Sequence, residues 1–266
     1  MQAIFETTFD VIYLLTVITL GVFMICKSKG RKQYLLYGIM AVTLGAGDSF
    51  HLVPRAVALC TTGLESYTAA LGIGKLITSV TMTAFYVLLY YVWRCRYKIT
   101  GKRGITAAVW GLSVLRVILC LMPQNEWTSP DAPLSWGIFR NIPFALLGLM
   151  IIILTFRSAR QNGDREFRFL WLTIVLSFGF YIPVVLWADA VPLIGMLMIP
   201  KTCAYVWTVL IGFNSLRNAD RTKARQTGES SFLPCKKTRA AGNCRVRMAC
   251  SRIQRCTPWG VVLYQS

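Results

Sequence analysis

Residues 71–93 read LGIGKLITSVTMTAFYVLLYYVW and contain Lys75 as their only charged side chain. A helix needs about 20 predominantly apolar residues to cross the hydrocarbon core of a bilayer. Because the bilayer core offers no water, the backbone of such a segment satisfies its hydrogen bonds within the helix. This stretch therefore predicts a membrane-spanning helix.

Further apolar runs occur on both sides of this stretch. Seven predicted spans cover residues 8–26, 34–53, 67–93, 105–122, 136–156, 169–188 and 191–213. Of the 266 residues 55% are hydrophobic and only 15% are charged, whereas a soluble domain has about 25% charged residues. This composition excludes a disordered chain and most soluble enzymes. We predict an all-α, polytopic integral membrane protein with a seven-transmembrane-helix bundle.

The positions of Lys and Arg in the loops predict the orientation of this bundle. Segments 27–33, 94–103 and 157–168 together contain thirteen basic residues, whereas the alternating segments contain only Arg55. Short cytoplasmic loops carry the excess of basic residues in membrane proteins. We therefore expect the N-terminus outside, the C-terminus in the cytoplasm, and a multi-pass location in the cell membrane, plasma or inner.

The formal net charge of +18 would also suit a nucleic-acid-binding protein. The basic residues, however, lie in short loops and in the tail, so we predict no nucleic-acid partner. We divide the chain into a transmembrane domain, 1–213, and a basic cytoplasmic tail, 214–266, which we expect to be disordered. Alternatively, the tail contacts an anionic leaflet or is an out-of-frame extension.

Ionisable residues inside membrane spans are costly and usually face a cavity, pair with each other or act chemically. In this chain they are Asp10, Asp48, His51, Arg55, Lys75, Arg116, Arg140, Asp189 and Lys201. In the predicted orientation most of them lie in the outer half of the bundle, and the inner half is almost free of charge. This distribution predicts a polar cavity open to the outer face, or just beneath it.

Span two contributes three of these residues on one helical stripe. Asp48, His51 and Arg55 are separated by three and four residues, which places them on the same helix face. Small residues at four-residue spacing, Ala41 with Gly45 and Thr43 with Gly47, predict close approach of a neighbouring helix beside the stripe.

Two interpretations of the charges remain open at this point. In the first, the charges are purely structural: Asp48 pairs with Lys75 or Lys201, and Asp189 pairs with Arg140. In the second, the charges form a ligand site. The cations Arg55, Lys75, Arg116, Arg140 and Lys201 outnumber the carboxylates Asp10, Asp48 and Asp189. An anionic ligand such as a phosphate or a carboxylate would balance this excess. We therefore name these five cations as candidate ligand-binding residues.

The stretch YLLYGIMAVTLGAGDSFHLVPR, residues 34–55, contains a GDxxxLxPR core. This core resembles the corresponding stretch of the lysoplasmalogenase-type membrane hydrolases, which cleave the vinyl-ether bond of lysophospholipids. The resemblance implies a functional acidic residue at Asp48, and we name Asp48 and His51 as candidate catalytic residues for proton transfer. A single His and the absence of any CxxC pair among nine cysteines predict no metal site, and the sequence leaves the cofactor unknown.

A second comparison is with the microbial rhodopsins, which have seven helices and bind retinal through a lysine in the last span. Lys201 lies within span seven, and FYIPVVLW in span six resembles the segment that lines a retinal pocket. Span three has no carboxylate that could act as the counterion. Three classes of function therefore remain: a lipid-directed hydrolase, a transporter or binder of an anionic lipid or small solute, and a sensor or receptor centred on Lys201. Membrane lipids are the expected partners.

Overall fold

Long α-helices make up almost all of the computed structural model, which describes residues 2–61, 63, 65–130, 132–187 and 191–230. The described residues contain no β-strand, and seven of their helices are long and apolar enough to cross a membrane. The helices are α1 (Gln2–Lys27), α2 (Lys32–Cys60), α3 (Thr68–Arg96), α4 (Arg103–Leu121), α5 (Leu134–Gln161), α6 (Leu170–Trp187) and α7 (Met198–Ser230). The prediction of seven apolar helices is confirmed.

The chain divides into two units, residues 1–225 and residues 226–266. The first unit contains all seven candidate membrane spans, the last of which ends at Arg225. The helix α7 continues past residue 213 to Ser230. The predicted tail from residue 231 onward lies outside the described residues.

The second helix extends beyond its predicted span, 34–53, and continues through Pro54 to Cys60. A proline has no N–H group, so Pro54 leaves the carbonyl of Phe50 without its usual helical donor. That carbonyl lies against Gly74 in α3, at a position where a Cβ atom would not fit. The close approach of α3 accompanies the lost hydrogen bond, and the helix does not end at the proline.

Apolar side chains cover much of the outside of the bundle. Leu15, Ile118, Leu146, Leu149 and Ile153 all lie on spans and are among the exposed large hydrophobic residues. Apolar exposure on this scale would be a liability in water but matches the apolar environment of lipid tails. The surface therefore agrees with the composition in indicating a bilayer as the solvent.

Helices that are adjacent in sequence pack against one another from α1 to α6. The small residues predicted in α2 lie at two of these contacts. Gly45 packs against Ile18 of α1, and Gly47 packs against Thr81 of α3, whose neighbour Thr78 donates a hydrogen bond of 3.1 Å to the Gly47 carbonyl. The expected close approach at these glycines is confirmed, because neither position has room for a Cβ atom without a shift of its neighbour.

The helix α7 joins the bundle through hydrogen bonds between buried polar groups. The hydroxyl of Tyr37 in α2 donates to the carbonyl of Thr208 at 2.7 Å. The hydroxyl of Thr208 in turn donates to that of Thr173 in α6 at 2.8 Å. Buried polar groups are tolerated in this setting when they are paired. These bonds fix α7 between α2 and α6.

A network of charges connects the C-terminal end of α3 to the α5–α6 loop and to α7. Arg96 donates to both oxygens of Asp164, at 2.9 and 3.0 Å, and to Glu166 at 3.0 Å. Ser215 of α7 donates to Glu166 at 2.6 Å. Burial favours the neutral form of Asp164, but Arg96 and the backbone N–H groups of Glu166 and Phe167 outweigh it and lower the pKa of Asp164. The network stabilises the end of the bundle that we predict to be cytoplasmic.

Candidate functional site

A cavity of about 490 Å³ opens at the other end of the bundle. At this end α2, α4 and α6 terminate and α3, α5 and α7 begin, so six helices contribute to its lining. The loop between α4 and α5 covers part of it. This is the end that the loop charges predict to face outward. The size lies within the range of small-molecule binding sites.

Five of the seven candidate site residues line this cavity: His51, Lys75, Arg116, Arg140 and Lys201. They come from α2, α3, α4, α5 and α7. Among the described lining residues there is no Asp or Glu. The two remaining candidates, Asp48 and Arg55, are not among the lining residues. The cavity is therefore lined by four basic side chains and a histidine.

Arg116 is the most buried of the charged lining residues. Its exposed fraction is 2%, and its guanidinium carbon lies 3.3 Å from the centroid of the Phe144 ring. At a rise of about 1.5 Å per residue, it lies about 8 Å from the end of α4 at Leu121. Its Nε and Nη1 groups have no hydrogen-bond partner. A buried guanidinium with unsatisfied donors is costly unless an acceptor completes it.

Lys201 extends from the first turn of α7 between two aromatic rings. Its ammonium lies 4.5 Å from the ring centroid of Tyr181 and 5.6 Å from that of Tyr205. Its closest hydrogen-bond partner is the sulfur of Met198 at 3.9 Å, a weak acceptor. The ion pairs found among the described residues do not include Lys201. The two tyrosine rings stabilise the cation without neutralising it.

Arg140 differs from Arg116 because its guanidinium donates to a side-chain amide oxygen. It donates to the side-chain oxygen of Asn125 at 2.8 Å, and its guanidinium lies 4.1 Å from the Trp127 ring. Asn125 is fully buried and donates to the carbonyls of Leu119 and Met122 at the end of α4. Arg140 thus holds the α4–α5 loop against the cavity as well as lining it.

Gly72 in α3 permits this loop to lie close to the helix. A Cβ atom added at Gly72 would overlap the backbone carbonyl of Trp127. The indole of Trp127 also donates to the carbonyl of Cys120 at 2.8 Å. Since backbone atoms cannot move aside as a side chain does, this position requires glycine. The loop that covers the cavity is therefore fixed by α3, α4 and α5 together.

The two candidates outside the cavity have partners on α1. Arg55 forms an ion pair with Glu6 at 2.9 Å. Asp48 accepts a hydrogen bond of 2.6 Å from the hydroxyl of Tyr13. The sequence count of charges omitted Glu6, because the first predicted span began at residue 8, whereas α1 begins at Gln2. Asp189, the predicted partner of Arg140, lies outside the described residues.

Several residues that line the cavity or contact its lining were not predicted as parts of a site. Asn125 and Trp127 both lie between the predicted spans 105–122 and 136–156. Tyr181 and Tyr205 lie within apolar spans, where an aromatic residue usually packs in a core. Tyr181 contacts a cation of another helix, which no spacing within α6 could indicate. Tyr205 lies four residues after Lys201 on α7, a spacing that places the two side chains on one helix face. Tyr181 did belong to the aromatic segment compared with a retinal pocket.

No group of three or more His, Cys, Asp or Glu side chains suited to a metal ion is found in the part of the chain that the structure describes. No protein-family model matches the chain, and neither a curated protein nor a solved structure gives a significant match. The resemblances to lysoplasmalogenase-type hydrolases and to rhodopsins therefore stay predictions. The cavity itself is the feature from which a function can be inferred.

Proposed function

We propose that this protein binds an anionic lipid or small solute in the cation-lined cavity, with the anionic group held at Arg116. The single observation that carries this proposal is the buried guanidinium of Arg116, whose Nε and Nη1 lack acceptors. A phosphate or carboxylate supplies paired oxygens that match a guanidinium, and a charge-assisted hydrogen bond is about twice as strong as a neutral one.

The other basic residues support an anion over a neutral ligand. Lys75, Arg140 and Lys201 line the same cavity, and Asp48, the carboxylate whose charge acts on Lys201, is not among the described lining residues. In a site of low dielectric constant the attraction between these cations and an anion is stronger than in water. The positive cavity also raises the local concentration of anions and so the rate of association.

The proposal includes the orientation of the bundle in the cell membrane, with the cavity toward the outside. It is supported by the basic residues of segments 27–33, 94–103 and 157–168, all at the end opposite the cavity. We expect an impermeant thiol reagent added to intact cells to label a cysteine at Gln124 and not one at Thr100. The native cysteines are replaced in both variants. Labelling of the cysteine at position 100 alone would show that the bundle has the opposite orientation.

Replacement of Arg116 by methionine tests the binding site itself. We expect the ligand-free protein to become more stable, because an incompletely satisfied buried charge is exchanged for an apolar side chain of similar length. We also expect affinity for dodecyl phosphate, or for inorganic phosphate, to fall at least tenfold. Thermal melting and equilibrium binding measure the two effects.

The matched control is Arg160→Met, which removes an exposed arginine at the other end of α5. This control should change neither the melting temperature of the protein nor its affinity for the two phosphate probes. A purely structural Arg116 would give the opposite pattern: destabilisation by Arg116→Met and no change in anion binding. Absence of anion binding by the unmodified protein would also overturn the proposal.

A second candidate function, hydrolysis of a bound lipid, is supported by His51. This histidine lines the cavity, and its buried Nδ1 has no hydrogen-bond partner. A neutral imidazole nitrogen without a partner can accept a proton during general base catalysis. Asp48 does not line the cavity, so His51 would transfer the proton. Release of free headgroup from a lysophospholipid, lost in His51→Gln, tests this candidate, and no turnover in the unmodified protein contradicts it.

A further inference from the structure

An apolar groove lies beside the cavity, between α5 and α6. Its volume is about 150 Å³, and its lining includes Ile142, Ala145 and Ile182. Ile142 and Ile182 are exposed on spans, where they face the surroundings of the bundle. In a bilayer these surroundings are lipid tails, so the groove opens to the hydrocarbon.

The groove and the cavity share a wall. Asn141, Phe144, Tyr181 and Val185 contribute to the lining of both. The Phe144 ring lies beneath the guanidinium of Arg116 on the cavity side. An alkyl chain in the groove would thus end within one side chain of Arg116, the most buried cation of the cavity. The polar cavity and the apolar groove have the complementary properties of a charged headgroup and its chain.

Among the described residues, a side-chain hydrogen bond and the contacts of the Phe144 ring with the rings of Phe178 and Tyr181 close this wall. The hydroxyl of Tyr181 in α6 donates to the side-chain oxygen of Asn141 in α5 at 3.1 Å. Both helices also contain a proline near this level, Pro143 in α5 and Pro183 in α6. Each proline removes one backbone hydrogen bond, which lowers the resistance of its helix to bending. The wall between groove and cavity is therefore the part of the α5–α6 contact best suited to open.

We infer that the anion is the headgroup of a single-chain lipid, which reaches the cavity sideways from the bilayer with its chain in the α5–α6 groove. This inference rests on the proposed function, because it requires an anion site at Arg116. The groove of about 150 Å³ between two adjacent helices has room for one chain. Opening of the Tyr181–Asn141 bond admits the headgroup, and its closure separates the headgroup from the chain.

The test compares two probes on the full chain in nanodiscs of zwitterionic lipid. Dodecyl phosphate carries both a headgroup and a chain, and inorganic phosphate carries the headgroup charge alone. Binding is measured with radiolabelled probes, with empty nanodiscs subtracted. We expect dodecyl phosphate to bind at least tenfold more tightly than inorganic phosphate, because the groove adds apolar contact.

Ala145→Trp fills the groove, and Leu146→Trp is the matched control on the same helix, at an exposed position outside the groove lining. Ala145→Trp should weaken dodecyl phosphate binding at least tenfold and leave inorganic phosphate binding unchanged, whereas Leu146→Trp should change neither. Ile182→Trp fills the groove from α6 and replaces Ala145→Trp if that variant does not fold. Tyr181→Phe keeps the ring over Lys201 and should speed exchange of dodecyl phosphate.

The outcomes separate this inference from the proposed function. Equal affinity for the two probes, or dodecyl phosphate binding that both groove variants leave intact, would overturn the chain-in-groove inference and leave anion binding at Arg116 standing. Failure of both probes to bind would overturn the proposed function, and this inference with it.

Discussion

Replacing Asp164 by asparagine is expected to lower the free energy of unfolding by about 3 kcal/mol. The substitution removes the carboxylate that accepts two hydrogen bonds from Arg96. The side chain of Asp164 is 7% exposed and that of Arg96 is 21% exposed, so the guanidinium left without this partner remains largely shielded from water. Loss of one partner from a buried ion pair costs about 3–5 kcal/mol. The remaining bond from Arg96 to Glu166 places this pair at the lower end of that range.

Thermal melting in detergent measures the effect, and Asp220→Asn is the matched control. Asp220 also forms an ion pair, with Arg31 at 2.7 Å, but both side chains are about one third exposed. Exposed ion pairs contribute about 0–1 kcal/mol, so the control should lower stability only slightly. Equal effects of the two substitutions would show that the Arg96 network does not stabilise the bundle.

The same network predicts a dependence of stability on pH. The pKa of Asp164 is lowered in the folded protein, so the unfolded chain binds a proton on this group at higher pH than the folded chain. Its contribution is therefore complete above the unfolded pKa of about 4 and is lost as the pH falls through the lower, folded value. Asp164→Asn should lose less stability than the unmodified protein over this acidic interval. Melting temperatures that fall equally with pH in the variant and in the unmodified protein would contradict this prediction.

Replacing Gly72 by alanine is expected to destabilise the protein by about 2 kcal/mol and to weaken anion binding. The added methyl group would overlap the backbone carbonyl of Trp127, so the α4–α5 loop must move away from α3. Overpacking of this kind costs about 1–3 kcal/mol. Movement of the loop also pulls Asn125 away from Arg140 and changes the wall of the cavity.

The control for this prediction is Gly111→Ala in α4, where no heavy atom lies within 4 Å of an added Cβ. Alanine is favoured over glycine within a helix by about 1 kcal/mol, so the control should raise stability. The same substitution thus has opposite signs at two helical glycines. A stabilising effect at Gly72 would show that the loop does not press against α3.

The sequence predicted the fold because the membrane imposes few alternatives. In lipid, a long apolar run forms a helix. The seven apolar runs of the sequence correspond to the seven candidate membrane-spanning helices found among the described residues. The boundaries were less predictable: the second predicted span ended at residue 53, whereas α2 continues through Pro54 to Cys60 beside the close approach of Gly74. Helix ends depend on contacts that run lengths do not contain.

The candidate site could be predicted in part for the same reason. A charge inside a span is costly enough that its depth has meaning, and Lys75, Arg116 and Lys201 lie at one cavity as their depth indicated. Partners could not be predicted, because they depend on how helices face one another. The bond from Tyr13 to Asp48 and the pair of Glu6 with Arg55 both involve α1, which one sequence cannot orient.

The ion pair between Glu6 and Arg55 bears on how the chain enters the membrane during its synthesis. In the proposed orientation the start of α1, with Glu6, and the end of α2, with Arg55, lie on the outer side. The translocation machinery must therefore carry both charges across the bilayer. Arg55 leaves the ribosome about 50 residues after Glu6, when all of α2 except its last five residues has emerged. A helical hairpin of α1 and α2 transfers the two charges as a neutral pair, at lower cost than either charge alone. We therefore expect α1 to reach its final place together with α2, as one unit of insertion.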